Sequence, residues 1–362
     1  MNRDIFEDLF VLELANNHLG KLDRGLKIIS EYGRIVRINN VRAAIKFQFR
    51  DVDNFIHKDF INRQDIRYVK KTLDTKLCKK DYIVMIDAVK KNGCIPMSTP
   101  FDEKSVDLCS ELNIEIIKIA SSDINDWKLI EKIATTRKPV IASTGGSSLK
   151  DLDDLVLFFE HRNIPLALNH CVSLYPTKQE DLQLNQIDFL KNRYPGHIIG
   201  FSSHESEDVS SSIIIAYSKG ARTFERHVDI NLDGIKVSPY CIIPSQADSW
   251  FKAYKKTKVI CGMPGTDKTI PREVEIKYLD NLVRGLYAKR DLPVGYSTTK
   301  EHFEDDFYFA VPLQKGQMTC REMLVVLTIN KNIKKDEKIT IEDIQGLEDN
   351  KELKEFINNR GV

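Results

Sequence analysis

His204 and His227 fall at or near the carboxyl ends of two apolar stretches, IIGFSS and TFERHV, joined by a helix-like segment that stops at Gly220. In a parallel barrel that end of every strand faces one mouth. Two imidazoles delivered there from neighbouring strands are half of a divalent-metal site. A lone histidine would read as a core hydrogen-bonding group, but the shared placement of two favours the ligand reading. Lys46 in AAIKFQ and Lys118 in IIKIAS are embedded in apolar runs. A buried ammonium needs an anion beside it. Either each lysine pairs with a carboxylate such as Glu13, or both face an anionic ligand. Ser98, Thr99, Ser121, Ser143 and Thr144 fall at the matching strand ends. Hydroxyls and backbone N–H groups suit phosphate and carboxylate oxygens. The pattern points to a small, multiply anionic molecule held beside a metal.

The elements that must position these groups repeat between residues 10 and 228 as a short apolar strand followed by a helix-like stretch. Strands are expected at 10–15, 43–48, 94–99, 116–121, 140–145, 166–171, 198–203 and 223–228. They are near-continuous apolar runs, as strands buried on both faces should be. EKSVDLCSELN, DWKLIEKIATTR and KDLDDLVLFFEHR carry apolar residues at three- and four-residue spacing and suit the intervening helices. Eight such units imply an α/β fold of the (β/α)8 type. An open doubly wound sheet is the alternative, but no GxGxxG turn follows the first strand. A polar residue within a barrel strand is costly unless it lines the mouth. Glu13, His170, Ser202 and Arg226 therefore join the candidates. His18 lies near Glu13, while His57, His161, His197 and His302 sit in polar stretches and read as surface residues.

The formal net charge of +1 argues against a nucleic-acid binder, which would carry a basic excess. No run of about 18 apolar residues is present, so no membrane span is expected. MNRDIFEDLF carries acids and lacks the basic start of a secretory leader. The seven cysteines are scattered without a CxxC pair, which suits reduced, buried thiols in a cytoplasmic protein. Residues 49–93 form a long, charged second connection, a lid or dimer element above the mouth. A further helix at about 246–260 would close the barrel. The domain reading is a barrel over 1–262, a linker over 263–281 and a small β-rich domain over 282–362. In that last part LYAKRDLPVGYSTTKEHFEDD and LTINKNIKKDEKITIEDIQG form a near-repeat, with turns at Gly295 and Asp336.

ELANNHLGK, AAIKFQ, STPFD, IIKIASSD, VIASTGGSS, NHCVSLYPT, GFSSHE and FERHV occur in this order. On these motifs the chain resembles the sialic acid synthases, the phosphoenolpyruvate-condensing nonulosonate synthases. The resemblance implies a (β/α)8 TIM barrel followed by an antifreeze-like (SAF) domain. It implies condensation of phosphoenolpyruvate with an N-acylated mannosamine-type sugar, with release of phosphate. Carried over residue by residue, it implies a catalytic role for Glu13 in handling the attacking water. It implies phosphoenolpyruvate binding by Lys46, Gln48, Thr99, Lys118, Ser121 and Ser143. It implies sugar binding by Asp123, Ser173 and Tyr175, and binding of Mn2+ (or Mg2+ or Co2+) by His204 and His227. A domain-swapped homodimer is also implied.

The chain departs from the family pattern on the sugar side. Ser203 precedes His204 where Asp is usual, Ser173 stands for Asn, and GIKVSPYC replaces the stretch that usually follows the second histidine. A familiar SAF-domain turn is missing as well. These departures point to a modified acceptor, such as a diacetamido hexose. The alternatives are a related phosphoenolpyruvate-condensing sugar-acid synthase and a non-catalytic barrel that binds a sugar phosphate.

Overall fold

Strands β1 (Leu9–Ala15), β2 (Arg42–Phe49), β3 (Ile95–Pro100) and β4 (Ile116–Ile119) pair in parallel, each with the next. Strands β5 (Val140–Ser143), β6 (Leu166–Cys171), β7 (Ile198–Ser203) and β8 (Thr223–Val228) continue the series, and β8 returns to pair with β1. This computed structural model describes residues 5–362 apart from 233, 264, 266, 321–325 and 348. The closed sheet is the expected (β/α)8 barrel. Strands β4 and β5 stop two residues earlier than the sequence suggests, because Ser121 opens a short 3-10 turn and Thr144 begins the next loop.

Helix α1 (Leu22–Asn39) follows β1, and the long second connection folds into α2 (Val52–Phe55), α3 (Arg67–Asp74) and α4 (Lys79–Lys91). Helices α5 (Glu103–Glu111), α6 (Trp127–Thr135), α7 (Leu149–His161), α8 (Gln186–Arg193) and α9 (Val209–Ser218) follow β3 to β7 in turn. Their starts are legible in the sequence. Asp102 accepts from the Ser105 N–H, Asp126 from the Leu129 N–H, and Ser148 with Asp151 forms a reciprocal capping box. After β8, a short β9 (Cys241–Ile242) leads into α10 (Pro244–Cys261), the expected closing helix. Phe10 meets the rings of Trp250, Phe251 and Tyr254 edge-on at centroid distances of 4.8, 4.7 and 5.0 Å.

Alternation along each strand separates two cores. Phe10 and Leu12 face the helices, whereas Leu9 and Val11 join Phe6, Ala44, Met97 and Ile116 inside the barrel floor. Two residues further along β1, on the inward face, comes Glu13. Higher in the barrel Gly200 lets the Thr223 hydroxyl meet Asn169 Oδ1 at 2.5 Å. A methyl group at Gly200 would overlap both side chains and lie 2.7 Å from the Thr223 carbonyl. The floor is thus filled, and the polar positions are pushed to the mouth.

The chain divides into two compact units, Met1–Met263 and Pro264–Val362. The second contains α11 (Glu273–Asp280), which falls inside the expected linker. Strand β10 (Gly285–Ala288), α12 (Phe303–Asp306), an antiparallel β11 (Phe307–Ala310) and α13 (Lys351–Asn358) follow. Its near-repeats pair with each other. Leu292 and Ile333 exchange backbone hydrogen bonds of 2.9 Å, and the Ala288 N–H bonds the Glu337 carbonyl at 3.0 Å. Both turn residues named from the sequence take left-handed backbone, Gly295 at φ 79° and Asp336 at φ 66°. Leu286, Ile329, Ile339 and Ile341 form this unit's own core.

Candidate active site

A cavity of about 720 Å³ opens at the carboxyl end of the barrel strands. The twelve residues to which the resemblance gives roles all line it, although they span β1 to β8 and the loops beyond. Lys46 pairs with the Glu13 carboxylate, reaches Glu225 Oε1 at 3.1 Å and donates to Thr99 Oγ1 at 3.2 Å. Lys118 donates to Ser143 Oγ at 2.5 Å and lies 3.5 Å from Glu225 Oε2. The pairing of lysine with carboxylate anticipated for Glu13 is present, and both ammoniums also face the cavity. Glu225, which links the two lysines, was missed by the sequence reading. Its place in FERHV, two residues before His227 and so on the same face of β8, was the available clue.

Each of these charged side chains is almost wholly buried, so the electrostatics are strong. Burial works against the Glu225 charge, but the Lys118 and Lys46 ammoniums outweigh it and hold the carboxyl down at about 2. Burial pushes Glu13 above the usual carboxylate range despite Lys46, with the Glu225 charge adding to the rise. Lys46 faces the same burial penalty, but the Glu13 and Glu225 carboxylates raise its pKa. Lys118 has only Glu225 close by, and burial lowers it. Glu13 Oε1 is buried without a hydrogen-bond partner among the described residues.

Across the cavity the His204 and His227 rings stand 5.4 Å apart, centre to centre. Tyr175 lies 4.0 Å from His204, and Tyr240 lies 5.2 Å from His227. His204 Nδ1 is 3.2 Å from the Val172 carbonyl and can only donate to it, which leaves Nε2 with a free lone pair. Burial lowers His204 to about 4 and His227 well below the ordinary histidine value, so both are neutral near pH 7. Two neutral imidazoles with a lone pair to offer fit a divalent ion. Among the described residues no group of three or more His, Cys, Asp or Glu could complete the coordination. An ion here would take its remaining positions from substrate and water.

Ser121 starts the 3-10 turn after β4 that ends at Asp123, and Ser173 and Tyr175 follow β6. A Cβ at Gly145 would overlap Ser173 Oγ and sit 2.9 Å from Ser121 Oγ, so this glycine lets the two hydroxyls converge. Burial raises Asp123 above the usual carboxylate range. Helix α3 adds Arg67, Tyr68 and Lys71 to the lining, and the residue just after β2 adds Arg50, none of them named from the sequence. The Arg50 guanidinium lies 3.7 Å over the Phe101 ring and donates to Gln48 Oε1 at 3.1 Å.

Other strand-end groups turn away from the cavity. Arg226 pairs with Glu205 at 2.5 Å, because it alternates to the opposite face from Glu225 and His227. Ser98 donates to the Phe47 carbonyl at 3.3 Å, and His170 Nε2 is 2.7 Å from the Leu182 carbonyl. Thr144 is not among the lining residues. His18 accepts from the Gly20 N–H at 3.1 Å and so braces the loop after β1. The surface reading of His197 is corrected: its side chain is 4% exposed and sits 2.8 Å from Glu160. Among the cysteines, Cys94, Cys109, Cys171 and Cys241 are buried free thiols, but Cys78, Cys261 and Cys320 are exposed.

Fold and site together define a (β/α)8 barrel with a buried lysine–carboxylate cluster and an imidazole pair at its catalytic face. The NeuB family model matches residues 39–236, and the chain belongs to that family. It is 35% identical to a crystal structure of spore coat polysaccharide biosynthesis protein E from Chromobacterium violaceum, with a TM-score of 0.88 over 94% of this chain and 100% of that one. It is 27% identical to the N-acetylneuraminic acid synthetase of Leptospira borgpetersenii solved with citrate, with a TM-score of 0.65 over 75% of this chain and 91% of that one. A pseudaminic acid synthase of Campylobacter jejuni is 26% identical over 81% of this chain and 84% of its own length. No helix among the described residues is long and apolar enough to cross a membrane.

Proposed function

We propose that this chain condenses phosphoenolpyruvate with an N-acylated mannosamine-type sugar to give a sialic acid or related nonulosonate. The observation that carries this reading is the pair of buried ammoniums, Lys46 and Lys118, set around Glu225 in the same cavity as two neutral imidazoles. The lysines receive the carboxylate and phosphate of phosphoenolpyruvate, and Gln48, Thr99, Ser121 and Ser143 satisfy the remaining oxygens. Asp123, Ser173 and Tyr175 orient the open-chain sugar. A divalent ion, Mn2+ first and Mg2+ or Co2+ as alternatives, held by His204 and His227, would supply Lewis-acid polarisation of the aldehyde. The methylene carbon of phosphoenolpyruvate forms a bond to the aldehyde carbon, and the alkoxide so formed takes up the proton that Glu13 removes from water. Water adds to the former enol carbon and gives a proton to the Glu13 carboxylate. The bond from that carbon to the phosphate oxygen then breaks, a ketone forms, and phosphate leaves with the remaining proton.

The test is phosphate release from phosphoenolpyruvate with Mn2+ against a panel of N-acylated mannoses and diacetamido hexoses, with mass spectrometry of the product. Release with one sugar, abolished by chelator and by His204→Ala, is the expected result. Folded, metal-loaded protein that releases no phosphate with any sugar and binds no phosphoenolpyruvate would sink the reading. The second unit is proposed as the SAF-type domain of a domain-swapped homodimer. Light scattering of the full chain should give twice the monomer mass of 41.6 kDa; a monomer at all concentrations used for assay would exclude the swap.

A further inference from the structure

The cations of the second connection fall into two groups. Several of those facing away from the cavity are paired, such as Arg63 with Asp65 at 2.7 Å, Lys70 with Asp74 at 2.9 Å and Lys76 with Asp53 at 2.6 Å. Arg50, Arg67 and Lys71 line the cavity, and among the described residues none of the three forms an ion pair with a carboxylate. Glu13 and Glu225 are engaged with Lys46 and Lys118 at the floor, where both lysines are 3% exposed. Asp123 is the remaining carboxylate of the lining among the described residues. The outer half of the cavity therefore carries a surplus of positive charge.

Desolvating unpaired cations is unfavourable, yet the half-buried Arg50 and Lys71 line the cavity beside Arg67 with no carboxylate ion pair among the described residues. Burial disfavours the Lys71 charge, and the nearby Arg67 and Arg50 charges disfavour it further, so an incoming anion relieves repulsion as well as making new bonds. Arg50 is already oriented by Phe101 and Gln48. Two planar guanidinium forks and one ammonium match the several oxygens of a phosphoryl group. Depth assigns the group to the acceptor and not to phosphoenolpyruvate. Lys46 and Lys118 lie at the floor, whereas Arg50 and Lys71 are half-buried and Arg67 is exposed. A sugar whose aldehyde lies by the His204–His227 pair has its far end at this rim.

We propose that Arg50, Arg67 and Lys71 form a subsite for a phosphomonoester at the far end of the acceptor, so that the modified acceptor is a phosphorylated N-acylmannosamine. This rests on the proposed synthase reading. The experiment compares kcat/KM for N-acetylmannosamine, its 6-phosphate and a neutral diacetamido hexose, in the full chain with Mn2+ and phosphoenolpyruvate. The phosphorylated sugar should be preferred by roughly 10- to 100-fold. An Arg67→Ala/Lys71→Ala double variant should lose that preference through a higher acceptor KM with the phosphoenolpyruvate KM unmoved, and Lys71→Arg should retain it. Equal use of the neutral sugar, preference for the diacetamido hexose, or a loss that falls on the phosphoenolpyruvate KM would overturn the subsite. Turnover with a neutral sugar alone would leave the synthase reading standing; no turnover with any sugar, together with no calorimetric binding of phosphoenolpyruvate, would remove both.

Discussion

Substituting Glu13 by glutamine is expected to lower turnover by roughly 10²- to 10⁴-fold, the range for loss of a positioned general base. Glutamine has the same shape, and its amide oxygen can still accept from Lys46, so the barrel should stay folded. What disappears is the proton acceptor. Glu13 Oε1 is one of the buried oxygens without a hydrogen-bond partner among the described residues, and it belongs to a side chain that lines the cavity. Burial raises the pKa of Glu13, so the wild-type rate should fall with decreasing pH along a limb centred above 4.5. The direction follows because the base must be deprotonated to take a proton from water. Single-turnover phosphate release across pH, with the denaturation midpoint as a control for folding, checks both statements. A glutamine variant that keeps most of the wild-type rate would remove Glu13 from water activation.

Removing the Glu225 carboxylate is expected to cost about 3–5 kcal/mol of stability at pH 7, because it strips a buried cluster of the charge that serves two lysines. The cost has a ceiling. Lys118 can escape by losing its proton, which from an ordinary pKa of 10.5 costs about 5 kcal/mol at pH 7. The deficit of Glu225→Ala should therefore shrink as pH rises toward 10.5, where the unfolded chain's lysine also gives up its proton. In the wild type the sign is the reverse. Glu225 is held at about 2, so its contribution is present above the ordinary value of 4.5 and is lost as pH falls toward 2. Urea unfolding of both proteins at several pH values reads these two slopes. A constant deficit between pH 7 and 10 would show that the lysines do not depend on Glu225 for their charge.

Much of this was visible before the fold was known, and the exceptions have physical reasons. The strands are continuous apolar runs, so a lysine, glutamate or histidine within one stands out, as Glu13, Lys46, Lys118 and His227 do. Glu225 stood out equally but shares its strand end with Arg226 and His227, and three consecutive polar residues do not say which face each takes. Register decides it. Glu13 lies opposite both Lys46 and His227, so β8 turns Glu225 and His227 inward and sends Arg226 out to Glu205. His197 sits in a polar stretch but is covered by Glu160 from a different element, a contact that local composition does not encode.

The amino-acid sequence by itself determined the eight-unit barrel, the end at which its chemistry gathers and the turn residues of the small second unit. These depend on local properties: apolar period, helix capping and tolerance of left-handed backbone. Only the tertiary structure decided that one carboxylate, Glu225, serves two lysines from strands far apart in the chain. Only it showed that Arg50, Arg67 and Lys71 look into the cavity while their neighbours pair at the surface. The reason is that burial and Coulomb attraction act between residues brought together by closing the barrel, and their strength depends on distances that no stretch of sequence contains.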